Sequence, residues 1–230
     1  MTTKFNEMSI VGEIVTEFPK ASDFFKKNKI DFCCGGNRPL GEVVRERKLQ
    51  DAQIVEQLNE LYENNYANDD AIDWREKDSN KIIDHIITKH HAFLREELSM
   101  LLPYVKKVML VHGDAHPFMK RVHELFIELT AELLEHTNKE EEISFPAILS
   151  FESKQGMDAE RLKNIIIELE AEHDRSGNII KEIRELTSDF TLPEGACRTF
   201  ELVYNRLEFL EEDTFQHIHL ENNILFPRYM

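Results

Sequence analysis

Two stretches of this chain place a histidine and a glutamate four residues apart ahead of a Phe-Pro pair. They are HTNKEEEISFP, from His136 to Pro146, and HIHLENNILFP, from His217 to Pro227. On a helix, positions i and i+4 lie on one face a turn apart, so each motif projects an imidazole and a carboxylate side by side. One such pair is commonplace on a solvated helix. Two copies in matched contexts point to a shared centre.

The duplication reaches beyond the motifs. The offset that separates His136 from His217 also relates His91, in ITKHHAFLREEL, to His173, in EAEHDRSG, to within one residue. The chain therefore reads as two helical hairpins, each with a lone histidine on its first helix and His-x-x-x-Glu on its second. The match separates His91 from its neighbours His85 and His90, and His91 also shares a helical face with Ile87, Leu94 and Leu98. Neighbouring His90 is not excluded by that criterion. Antiparallel packing of the hairpins would gather His91, His136, His173 and His217 with Glu140 and Glu221 inside a bundle. Unpaired glutamates are rarely buried, because desolvation of the carboxylate is costly, and a metal ion is the usual remedy. Histidine and carboxylate without thiolate suit non-haem iron or manganese, and structural zinc fits six such donors poorly. Glu132 and Glu172 stand close enough in the chain to orient these ligands. Glu141, Glu142 and the acidic run around Glu211 read as solvated faces.

The elements that must position these residues are helices. From Lys81 onward four long amphipathic patterns follow one another, the first disturbed near Pro103, the others beginning near Phe118, Asp158 and Ala196. Short connections make an up-down four-helix bundle the expected architecture for 81–230. Residues 1–63 read as a small domain of short helices, beginning with the apolar spacing of Ile10, Val11, Ile14 and Val15. The Asn/Asp-rich stretch 64–80, with the lone Trp74, reads as a linker. No strand alternation appears, so the fold class is all-α.

Composition narrows the partners. With 230 residues and a formal net charge of −16 the chain lacks the clustered basic residues that neutralise phosphates, which argues against nucleic acid. It has no apolar run long enough for a membrane span and no secretory signal at its start. Three cysteines, two of them adjacent, do not make a disulfide framework and suit a reducing, cytoplasmic compartment.

Taken together, these motifs resemble a known family. The bundle is similar to hemerythrin-like domains, and DFCCGG, Asp31 to Gly36, is similar to the hallmark of the ScdA-type N-terminal domain. With ITKHHAFLREEL, EHDRSG and HIHLENNILFP the chain resembles the repair-of-iron-centres proteins over nearly its whole length. Departures are small: the family often has an aromatic where His90 stands, and Ser144 replaces an apolar residue before Phe145. The resemblance implies a pair of non-haem iron ions, oxo- or hydroxo-bridged, held by His91, His136, Glu140, His173, His217 and Glu221, with Glu140 and Glu221 bridging. It implies repair of iron–sulfur clusters damaged by nitrosative or oxidative stress, with damaged iron–sulfur proteins as clients and NO or O2 as small ligands. It also suggests a homodimer. Oxygen-carrying hemerythrins use five histidines; four here, with shared bridges, would leave one position open on each iron. That favours small-ligand binding or iron release over oxygen carriage, unless His112 or His116 completes a shell. Other readings are a hemerythrin-like sensor of O2 or NO, an iron store, or an NO-reducing enzyme.

Cys33 and Cys34, followed by Gly35 and Gly36, are candidates for redox chemistry or iron transfer. A helix N-terminus beside them would lower their pKa values. Adjacent cysteines do not form a relaxed disulfide with each other, since their Cα atoms stand about 3.8 Å apart. Cys197 reads as a buried helix residue, His112 and His116 as loop residues, and His123 and His219 as helix-face histidines with no counterpart in the repeat.

Overall fold

The computed structural model describes residues 4–65 and 72–230; residues 66–71, inside the linker expected at 64–80, lie outside the described residues. Every regular element among the described residues is helical, and the one β-type pairing is an isolated bridge between Ile10 and Pro39. The chain forms two compact units. One comprises Met1–Ile82 with Ile218–Arg228 and Met230, the other Ile83–His217 with Tyr229.

The first unit contains α1 (Val11–Glu17), α2 (Ala21–Lys27), α3 (Leu40–Glu46) and α4 (Asp51–Asn65). The apolar spacing of the first segment is realised: Val11, Ile14 and Val15 are buried with Phe18, Phe25, Leu40, Val44 and Leu58. The Asn59 amide ties the ends of this unit together, accepting from the Phe5 N–H at 2.9 Å and donating to the Phe5 carbonyl at 2.9 Å. Tyr62 meets Phe5 and Phe18 edge-on.

The second unit carries the up-down four-helix bundle. Its elements are α5 (Ser79–His85), which continues through a π turn (Ile86–His91) into α6 (Ala92–His112), then α7 (Phe118–Lys139), a second π turn (Glu140–Ser144) and α8 (Phe145–Glu152). α9 (Ala159–Leu186) and α10 (Arg198–Leu220) follow, and α10 runs into a third π turn (Glu221–Leu225); the start of α5 up to Ile82 and the stretch Ile218–Arg228 group with the first unit. The helices pack through stripes at helical spacing: Leu94, Leu98, Leu101 and Val105 on α6, Val122, Phe126, Leu129 and Leu133 on α7, Ile180 and Ile183 on α9, Val203, Leu207 and Leu210 on α10. Asp158 caps α9, its carboxylate accepting from the Arg161 N–H at 3.0 Å.

Two expectations need correction here. Pro103 does not disturb α6, which runs unbroken from Ala92 to His112. A proline inside a helix costs about 3 kcal/mol. That is outweighed by burial of Leu94, Leu98, Leu101, Val105 and Val108, each contributing roughly 1.5–3 kcal/mol. Glu211 is not on a solvated face. It is 2% exposed and holds the Arg184 guanidinium, whose Nε lies 2.7 Å from Oε1. The buried charge is retained because a bidentate guanidinium satisfies it.

Candidate metal centre

The Phe-Pro that closes both motifs has a local structural consequence. Pro146 and Pro227 have no N–H to donate, so the regular i→i−4 ladder is interrupted at each. In both copies the preceding phenylalanine N–H instead reaches the glutamate carbonyl five residues back, Phe145 to Glu140 and Phe226 to Glu221. The two motif glutamates therefore each open a π turn. A third π turn, Ile86–His91, ends at His91, where the Ala92 N–H reaches the Ile87 carbonyl. π turns inside α-helices are rare and concentrate at functional sites. This one also explains why His90 and His91, adjacent in the chain, are both buried.

Five of the six motif residues come together in the bundle. His91 Nε2 lies 3.2 Å from His217 Nε2, and His173 Nε2 lies 2.9 Å from His136 Nε2. Between these two imidazole pairs sits Glu140, fully buried, with Oε2 3.2 Å from His91 Nε2 and 3.3 Å from His136 Nε2. The same oxygen is 3.8 Å from His217 Nε2. Glu221 is also fully buried, one turn beyond His217 on a helix that continues without a break, in the stretch that clusters with the N-terminal unit.

The other ring nitrogens decide what this cluster can do. His91 Nδ1 lies 2.7 Å from the Glu141 carboxylate, which Arg95 also engages at 2.8 Å. His136 Nδ1 lies 2.7 Å from Glu172 Oε2, and the other oxygen of Glu172 accepts from Lys139 at 2.8 Å. A carboxylate beside Nδ1 holds the proton there and leaves Nε2 as a lone pair. Lone pairs of His91 and His136 then face the Glu140 carboxylate at hydrogen-bond distance, an arrangement that a metal ion between them would satisfy. Burial, reinforced by His91, pushes the His217 imidazole well below its usual pKa, keeping it a neutral donor. The spacing suits a metal as well: donors in adjacent positions about 2.1 Å from one ion stand about 3 Å apart. The donor set, imidazole and carboxylate without thiolate, suits non-haem iron or manganese.

Glu172, expected near the ligands, touches His136 directly; the hydrogen bond with His136, reinforced by Lys139, holds its pKa near 2 against the opposing effect of burial. Glu141 does not lie on a solvated face; it is the partner of His91. Burial would raise its pKa, and the hydrogen bonds from Arg95 and His91 hold it below the usual value. No helical periodicity marked it, because it points away from Glu140 toward another helix. His90 packs parallel against His217 at 5.6 Å and has Nδ1 3.0 Å from Asp213 Oδ1. His112 and His116 lie at the far end of α6, packed on Phe200, and His112 Nε2 contacts Cys197 Sγ at 3.1 Å. Twenty-one helical residues of α6 separate that end from His91, roughly 30 Å of rise.

A cavity of about 400 Å³ opens beside His136, lined by Glu132, Glu135, Lys139, Glu168, Glu172 and Arg175. The His136–His173 pair therefore lies near solvent, and the His91–His217 pair lies deeper.

The cysteine readings change. Cys33 and Cys34 sit in a turn ahead of α3, and the N-terminus of α1 meets that turn through the Gly12 N–H, which donates to the Gly36 carbonyl at 2.7 Å. Burial, with Cys34 and Asp31 adding to it, pushes the Cys33 thiol well above its usual pKa. Cys197 is exposed, immediately ahead of α10, and hydrogen bonding by the backbone of Phe200 lowers its pKa. His219, which had no counterpart in the repeat, is buried; its ring bridges Thr16 Oγ1 at 3.2 Å and the Phe32 carbonyl at 3.4 Å.

A four-helix bundle with such a cluster defines a class, and comparison with known proteins agrees. Residues 82–229 match the hemerythrin HHE cation binding domain, and residues 7–62 match ScdA_N, a domain of unknown function. An iron–sulfur cluster repair protein ScdA of Staphylococcus haemolyticus is 38% identical over 221 residues, covering 96% of this chain and 97% of the relative. The iron–sulfur cluster repair protein YtfE of Escherichia coli O157:H7 is 37% identical, covering 95% of this chain and 94% of the relative. The chain belongs to the ScdA/YtfE family of iron–sulfur cluster repair proteins. No helix among the described residues is long and apolar enough to cross a membrane.

Proposed function

We propose that this protein holds two non-haem iron ions in its bundle and restores damaged iron–sulfur clusters by donating iron. His91 and His217 would hold one ion, His136 and His173 the other, with Glu140 and Glu221 shared between them. The observation that carries the reading is the Glu140 carboxylate between two imidazole pairs. The names of the relatives supply the biological direction.

When bound, iron would supply a reducible centre with affinity for small ligands such as NO and O2. The protein's own residues define what happens around it. Glu141 with Arg95 and Glu172 with Lys139 hold the imidazoles in the Nδ1-protonated form, so that Nε2 is always presented inward. The apolar layers of the bundle exclude water from the deeper pair. The charged cavity beside His136 offers the shorter path for a cation. Clients would be apo or damaged iron–sulfur proteins, met in the cytoplasm, where the three free thiols stay reduced.

The test is metal analysis with optical and EPR spectra of purified protein, followed by anaerobic incubation with an apo iron–sulfur enzyme. Two irons per chain, lost in His217→Ala, and recovery of the enzyme's activity at the expense of bound iron, are expected. Reversible gas binding with full retention of iron would instead support a sensor. Turnover of NO to nitrous oxide would support a reductase. Failure to take up ferrous iron anaerobically would sink the di-iron reading.

A further inference from the structure

The structure holds a second group of metal donors, in the N-terminal unit. Asp31, Cys33 and Cys34 each offer a donor atom, all within 4.8 Å of one another. Cys33 Sγ lies 3.9 Å from Cys34 Sγ and 3.3 Å from Asp31 Oδ1. Two thiolates bound about 2.3 Å from one tetrahedral ion stand about 3.8 Å apart, and a thiolate and a carboxylate oxygen about 3.5 Å. The turn therefore already carries the edge lengths of a mononuclear site. We propose that Asp31, Cys33 and Cys34 bind one thiophilic divalent cation, separately from the bundle.

The turn is built to keep these donors in place. Asp31 Oδ1 accepts from the Cys33 and Gly35 N–H groups at 3.1 Å each, which fixes the carboxylate under the thiols. Gly36 is required by packing: a Cβ there would lie 2.3 Å from the Phe32 carbonyl oxygen. Asn223 donates to the Cys33 carbonyl at 2.9 Å, tying the turn to the segment that carries Glu221 two residues earlier. Cys33 is buried and Cys34 half-buried, so a cation reaches the pair from the Cys34 side.

Binding exchanges protons for metal. Both S–H bonds break, two sulfur–metal bonds form and two protons leave to solvent, without electron transfer. Two thiolates and a carboxylate carry three negative charges at van der Waals range, and a divalent cation reduces the group to one. Without the cation the Cys33 thiol donates to Asp31. Identification of the cellular occupant as ferrous iron, on its way to or from the bundle, rests on the proposed repair function; the site does not.

Cobalt(II) is the probe, added anaerobically to the reduced full chain after the bundle has been loaded with ferrous iron. One further cobalt per chain is expected, with near-ultraviolet thiolate-to-cobalt charge-transfer absorption. Cys197→Ser should leave that absorption unchanged, Cys34→Ser should abolish it, and Asp31→Asn should weaken binding at least tenfold. Circular dichroism checks that each variant is folded, and cadmium uptake by the unaltered chain gives a measurement that needs no variant. No thiolate absorption with either metal, while both thiols react as free, would overturn the site. Retention of the signal in Cys34→Ser, or its loss in Cys197→Ser, would overturn it too. Failure of the bundle to hold iron, with the cobalt signal intact, would refute the repair centre and leave this site standing.

Discussion

Substituting Glu172 by Gln isolates one imidazole's support. Glu172 Oε2 lies 2.7 Å from His136 Nδ1 and Oε1 lies 2.8 Å from Lys139 Nζ, with the side chain 18% exposed. Glutamine has one carbonyl oxygen for these two donors, and its NH2 group must oppose the other. Turned toward His136 it still accepts from Nδ1–H, but the bond loses its charge assistance, which is worth about 1–1.5 kcal/mol beyond a neutral hydrogen bond. Lys139 keeps Glu168 at 2.6 Å, so little else is lost. The expected result is roughly tenfold weaker iron binding at the His136–His173 position, at the low end of the 10–100-fold range for such partners. The His91–His217 position should change much less, because Glu141 and Arg95 still hold His91. Anaerobic titration of ferrous iron against a competing chelator, fitted to two sites, measures both. Glu141→Gln should give the mirror image. Equal losses at both positions in each variant, or no loss in either, would refute the idea that each carboxylate tunes its own imidazole.

Other expectations follow from the same geometry. Pro146→Ala restores an N–H that can join the α-helical ladder and compete with the Phe145–Glu140 π bond. It should leave thermal stability unchanged or raised, while iron content measured by mass spectrometry falls. Gly36→Ala drives a Cβ to within 2.3 Å of the Phe32 carbonyl, so the turn must shift at a cost of roughly 2–3 kcal/mol, read by urea unfolding. Cys197 has its pKa lowered and is exposed, whereas burial raises that of Cys33. Its thiolate therefore persists at lower pH, and the midpoint of its alkylation-rate profile should fall below the ordinary thiol value. Peptide mapping should find Cys197 modified first and Cys33 last.

Sequence alone determined the donor types, the helical class and the pairing of the two hairpins. Those are properties of local spacing: an i, i+4 pair shares a face in any α-helix, and the apolar stripes on α6, α7, α9 and α10 repeat with the helical period. What came to light only with the tertiary structure depends on neighbours from other helices. Glu141 looked solvated because its partners His91 and Arg95 are far away in the chain. Glu211 looked solvated for the same reason, its partner being Arg184. Cys197 reads as a core residue on helical spacing, but it stands one residue ahead of α10, exposed and against His112 from the end of α6. His90 and His91 could not be ranked by periodicity, because the π turn that buries both departs from the α-helical period. The Phe-Pro pairs were visible in the sequence as part of the repeat. That they place each motif glutamate at the head of a π turn follows from a missing N–H, and only the folded helix shows which carbonyl the preceding N–H then finds.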